Sequence, residues 1–427
     1  MFVFIGCKNS IQPIVKTADY EKYMHIVSPD SMHSLQRIKA DMDFWMQRLE
    51  KNPDDVVAKV SLAGLHGARF KVAGDINDIH TSDSLYLVAN PLFKTNSSSL
   101  YRSLATNCVT QHKFQQAQLY LDTVLTMGDD IYLTYLMRCD VAMELGNLYM
   151  AEQSLNHIVD KNNFDYLIRE AKLLDHRGDL DGAVKKMEAA TEKAIESKKD
   201  VLFLWAKSNL ADMYGHANKY KESYQCYLDV LEKKPDYLYA LKGIAWLAFS
   251  HDKNPAEAKR ILNYLSGLHP IPDYDLLLSK IAAYEKDKTA EKELENRFLT
   301  EVSDSRYGDM YNKYVFYLMT DEERDLNKAL QIAEREVTNR PTSQSYDLLA
   351  WANYKIGKKD EALKIAKAYV ENKSYEPDAL YHLGLIYAEA GNDKKAKQFM
   401  QQAENAAFEL GPGLASQVSY DLKSIKN

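Results

Sequence analysis

A small residue returns along this chain at a spacing near 34, and no other feature limits the fold as much. It runs Ala117, Ala151, Ala183, Ser223, Ala258, Ala290, Ala329, Ala362 and Ala396, in steps of 34, 32, 40, 35, 32, 39, 33 and 34. Near the C-terminus whole units repeat: Leu349-Ala350 returns as Leu383-Gly384, Gly357 as Gly391, and Ala362 as Ala396. An apolar–small pair, a turn residue and a second small residue describe two helices in close approach, because a larger side chain at either small site would overpack by ~1–3 kcal/mol. Gly or Asn between the helices supplies φ > 0 at a helix end. Pro235, Pro270 and Pro341 each fall twelve residues after the small residue of their unit and stop its second helix.

Composition agrees. Gly and Pro together make 28 of 427 residues, about half the usual share, which suits helices and not many β-turns. The net charge of −7 offers no basic field for nucleic acid. Four cysteines cannot form a disulfide framework, and no apolar run is long enough for a transmembrane helix.

The fullest unit reads Asn209-Leu210-Ala211-Asp212-Met213-Tyr214, Asn218-Lys219-Tyr220, Ser223, Tyr227, Val230 and Pro235. Units with these spacings resemble the tetratricopeptide repeat. The resemblance implies an all-α fold, an α-solenoid superhelix of helix-turn-helix repeats, with nine units from about 97 to 406. The 40-residue step is assigned to a long second helix reaching Lys198, and the 39-residue step to extra chain near Asp304–Gly308. Arg138 and Glu170 stand where the family carries Leu, and the unit from Ile271 to Val302 lacks the turn Gly, so the register there, at Leu277 for example, stays open.

The expected division is residues 1–30 as a signal remnant or tether, 31–96 as N-terminal helices with a degenerate capping repeat, 97–410 as the repeats, and 411–427 as a C-terminal capping helix. Caps are needed because the terminal units of a solenoid would otherwise expose a stacking face. Met1-Phe2-Val3-Phe4-Ile5-Gly6-Cys7 resembles the end of a bacterial lipoprotein signal, with Cys7 as the lipidated residue. A signal needs a basic n-region and a longer apolar stretch, so this reading requires a true start upstream. The alternative is an apolar N-terminus tucked against the fold. The first reading implies a lipid anchor at the bacterial cell envelope, the second a cytoplasmic protein.

No catalytic, cofactor or metal constellation is expected. His66, His80 and His112 are scattered, and no phosphate-loop or zinc-helix motif occurs. Asp75-Ile76-Asn77-Asp78 starts like a calcium loop but lacks its central Gly and closing Glu. Cys108, Cys139 and Cys226 fall at packing positions. The chain therefore reads as a non-enzyme.

In the resembled family, first helices line a concave surface. With Leu210, Ile244, Leu277, Phe316, Leu349 and Leu383 equivalent, the flanking positions place Ser208, Asp212, Lys242, Trp246, Tyr314 and Leu318 on it, followed by Asp347, Trp351, Tyr381 and Leu385. Trp205, Tyr239, Phe249, Tyr311 and Tyr354 lie one turn away. An aromatic trough of this kind suits a peptide or protein partner, since rings give large contact area with few rotors. The other side of the choice is that these rings pack between units. The family's carboxylate-clamp pattern is absent: Asn209 matches one position, but Ile168 and Lys172 occupy the clamp sites of the preceding unit. The functional expectation is a protein-binding scaffold, and its alternative a carbohydrate or small-ligand receptor of an envelope uptake system.

Overall fold

The structure, a computed structural model, describes residues 12–26, 33–92, 97–129 and 131–425. Among these residues every regular element is helical. Helix α1 (Thr17–Ile26) is followed by α2 (His33–Lys51) and by the pair α3 (Val56–Ala73) and α4 (Ile76–Ala89). Nine further pairs run along the chain. The first three are α5 (Ser98–Thr110) with α6 (Phe114–Met127), α7 (Ile131–Glu144) with α8 (Leu148–Asn156), and α9 (Phe164–His176) with α10 (Leu180–Glu196). Next come α11 (Asp200–His216) with α12 (Tyr220–Lys233), α13 (Leu238–Ser250) with α14 (Pro255–Leu268), and α15 (Pro272–Glu285) with α16 (Lys288–Val302). The last are α17 (Asn312–Thr320) with α18 (Leu326–Asn339), α19 (Ser343–Lys355) with α20 (Lys359–Ile365), and α21 (Pro377–Glu389) with α22 (Asp393–Asn405). A closing helix, α23 (Ala407–Ser424), ends the described chain. The molecule is an all-α solenoid.

The periodic small residues hold the pairs together. Each second-helix position from Ala117 to Ala396 is buried except Ala290, which is half-buried. Close approach is strictest at Gly243, where an added Cβ would collide with the hydroxyl-bearing edge of the Tyr227 ring. The unit without a turn Gly solves its turn differently: Lys286 itself takes the left-handed conformation, at φ 64°. In the 40-residue step the long helix α10 ends just before Lys198, also left-handed, and the 39-residue step holds a short 3₁₀ turn over Ser305–Tyr307.

The superhelix closes on itself. The Arg306 side chain and carbonyl meet Asn77 and His80 of α4, and the Gln115 amide donates to the Thr338 and Asn339 carbonyls. Gly146 sits against the backbone of Pro341, and Gly178 against the ring of Tyr375. Turns of early units thus touch linkers a superhelical turn later, and the first helices enclose a lumen.

Two terminal segments differ from the sequence reading. Residues 12–26, expected to be tether, dock on the outer side. Asp252 accepts the backbone N–H groups of Ile14 and Val15 at 3.0 and 2.9 Å, and Tyr20 is fully buried against Glu257 and Arg260. Two hydrogen bonds to one buried carboxylate and a buried ring outweigh the weak helical period of that stretch. At the other end α23 is broken at Gly411 (φ 74°, ψ 165°), and the residues before the break turn into the lumen. Cys7 lies outside the described residues.

Candidate functional site

The first helices α11, α13, α15 and α17, with the start of α21, surround a cavity of about 420 Å³ in the lumen. Of the residues expected on or beside the trough, four line it: Asp212, Trp246, Tyr314 and Leu318. Two more stand at its edge. The Tyr239 hydroxyl donates to Asp212 at 2.6 Å, beside a second bond from Tyr227, and Lys242 pairs with Asp273 at 3.6 Å.

The others do not join this site. Trp205, 39% exposed, meets Phe164 edge-on. Asp347 and Tyr381 correct the sequence expectation, being interior at 2% and 8% exposure. Asp347 is bonded to His382 Nδ1 at 2.9 Å, and the Tyr381 hydroxyl donates to Asp421 of α23 at 2.6 Å. Trp351 stacks between Tyr354 and His382, with centroids 5.0 and 4.1 Å away. Trp351 stands in the register of Trp246, and Asp347 and Tyr381 in that of Lys242, but in the last units the neighbouring first helix and α23 cover them.

Carboxylates dominate the cavity wall. Asp212, Glu291, Glu295, Asp321, Glu376, Asp378 and Glu409 face only two lysines, Lys280 and Lys313. Such a lining disfavours a polyanionic ligand. Water reaches these groups, yet protein surrounds them, and burial penalises their charged forms. Burial accordingly raises Asp212, Asp175 and Glu376 and lowers Lys280. Asp378 goes the other way: burial opposes its charge, but Lys313 at 3.2 Å and the Tyr317 hydroxyl at 2.7 Å hold it below the usual carboxylate range. Glu409 is pushed up to about 7, by burial first and then by Glu376, Asp175 and Asp378, against the pull of His216 at 3.8 Å. The three described cysteines are packing residues, with burial raising Cys108 and Cys139 to about 12 and Cys226 to about 11.

The sequence reading has no place for what fills one end of the trough. The Phe408 ring lies 5.0 Å from Tyr220 and 6.4 Å from Trp246, centroid to centroid. Its carbonyl accepts the Ser250 hydroxyl at 2.5 Å. Gly215 makes room, since a Cβ there would be 2.7 Å from the ring edge. Gly411 then passes over Trp246, where a Cβ would stand 3.0 Å from the indole. The signal in the sequence is Gly411-Pro412-Gly413 just after an aromatic residue, a break that can redirect a chain as well as open a cap.

The tetratricopeptide repeat family matches residues 378–405, the last helical pair. Similar solved structures include a tetratricopeptide repeat protein from Parabacteroides merdae, at 16% identity over 62% of this chain and 99% of that one, TM-score 0.37. Yeast Tom70 is similar at 12% identity over 96% and 95% of the two chains, TM-score 0.37. YrrB, a TPR protein with an unusual peptide-binding site, is similar at 18% identity over 46% and 95% of the two chains, TM-score 0.28. No curated protein matches the sequence. Paired helices around a lined lumen define a helical-repeat solenoid. Over residues 378–405 the chain is similar to the tetratricopeptide repeat, and the helical pairs before that segment follow the same two-helix plan.

Proposed function

We propose that the chain is a non-catalytic protein-interaction scaffold that receives a peptide segment of a partner in the trough between α11, α13, α15 and α17. One observation carries this: the trough already holds a peptide segment by ring and by main chain, through the Phe408 contacts to Tyr220, Trp246 and Ser250. Aromatic walls with few rotors and a polar rim are the makings of a peptide site.

Tyr314 is 39% exposed and lines the cavity, so Tyr314→Ala leaves the fold intact while removing contact area. A Tyr314 hot spot would weaken the partner by about 2 kcal/mol. Capture from membrane and soluble fractions by wild type, Tyr314→Ala and Tyr420→Ala tests it, Tyr420 being exposed outside the cavity. The reading fails if the partners captured do not depend on Tyr314. An acyl anchor at Cys7, placing the scaffold at an envelope membrane, is part of the proposal. An intact mass of the natively produced protein that lacks an acyl increment removes that part.

A further inference from the structure

We infer that Phe408–Gly411 is a resident occupant of the trough, and that its competitor is a partner segment in which an aromatic residue is followed by a lysine or arginine. The inference rests on the reading of the trough as a peptide site and names the chemistry of what enters it.

The position of Phe408 is matched to its surroundings. Two rings, a glycine that leaves space and a hydroxyl aimed at its carbonyl come from helices at least 158 residues earlier in the chain. The next position is mismatched. Glu409 lines the lumen with Glu376 and Asp378 at the start of α21, and shares a recess with Asp175 of α9. The same recess holds Lys172 and Arg340, both paired with Glu144, and Lys373. Among these groups the nearest basic side chain is His216 of α11, at 3.8 Å. Lys313 of α17 is committed to Asp378 at 3.2 Å. A carboxylate among carboxylates is a poor fit, whereas an ammonium or guanidinium there would meet Asp175 and Glu376. The segment stays seated because it is tethered, which gives it a high effective concentration without a good second contact. Leu410 is buried in the cluster around α21, and the helix breaks at Gly411 directly afterwards, so only a short strap is involved. An untethered segment with a basic residue after its ring has the advantage the strap lacks.

The test uses the full-length chain and two labelled peptides, residues 405–413 and the same peptide with Glu409→Lys, with binding read by anisotropy. The lysine peptide is expected to bind about tenfold tighter than the native one, the ratio that one partly enclosed charge pair supports. Phe408→Ala, which loosens the strap, should tighten both peptides, and Glu376→Gln should narrow the gap between them. Equal binding of the two peptides, or binding of neither by wild type and Phe408→Ala, overturns the inference. If Phe408→Ala does not fold, amide exchange on wild type decides. Residues 408–411 must exchange ahead of α13 and faster still with lysine peptide present; protection equal to α13 overturns it. Wild type found as a dimer that exchanges straps would also overturn the assignment to a foreign partner. Capture through Tyr314 can succeed while the peptides fail, and the reverse, so the two readings fall separately.

Discussion

Glu409→Gln is expected to stabilise the protein near pH 8 and to leave it unchanged near pH 4. The folded carboxyl titrates at about 7, raised by burial and by Glu376, Asp175 and Asp378. In the unfolded chain it titrates at ~4.3. Between those values the folded state keeps a proton that the unfolded state has released, so stability falls as pH rises through the window and the full penalty stands above it. At ~1.4 kcal/mol per pH unit the window is worth about 4 kcal/mol as an upper bound. The side chain is 26% exposed, and solvent screening reduces the expected gain to about 1–2 kcal/mol. Glutamine has the shape of the protonated acid and no charge, so it removes the penalty without opening a hole. Asp175 and Glu376 are raised in the same direction. They are present in both proteins, so the comparison is between wild type and variant at each pH, not along one curve. Urea unfolding followed by tryptophan fluorescence supplies the difference, and amide exchange over residues 408–411 supplies a local one where the repeats do not unfold as one unit. A gain of equal size at both pH values, or none near pH 8, would refute the claim that Glu409 is crowded by carboxylates.

Three further outcomes follow from single contacts. Gly215→Ala puts a methyl group against Phe408 and should cost ~1–3 kcal/mol despite a better helix residue, with a red shift of Trp246 emission as the strap moves. An unchanged spectrum would show that the ring is elsewhere. Trp351→Ala removes a ring stacked on His382 and Tyr354 and should lower stability by about 3 kcal/mol while leaving peptide affinity as it is. Asp252→Ala strips two backbone donors of their acceptor and should free residues 12–26 to limited proteolysis at a cost of about 2 kcal/mol, with the repeats still intact. A digestion pattern like that of wild type would mean that Tyr20, Thr17 and the Lys16–Tyr224 bonds hold the segment without Asp252.

What the sequence discloses here is what lies within one unit or between neighbours. Ala117 and Ala396 are small because a helix presses on each, and that pressure repeats with the unit, so spacing alone reveals it. The turn at Lys286 is hidden, since an ordinary residue can take φ 64° when the packing on both sides demands it. Contacts such as Asn77 with Arg306, or Gly178 with Tyr375, are hidden for another reason. They depend on the small rotation between units summed over a superhelical turn, which leaves no local mark. Trp246 and Trp351 show the limit most directly. Both stand two residues after an equivalent apolar position, Ile244 and Leu349, and by register they are the same residue. One is stacked into the wall by His382 of the next first helix, the other is covered by Phe408 from the chain's own end. Register tells which way a side chain points; it does not tell what arrives to meet it. At Trp246 the arrival is a well-fitted ring carrying an ill-fitted acid, and that asymmetry makes the trough a place where one segment can be exchanged for another.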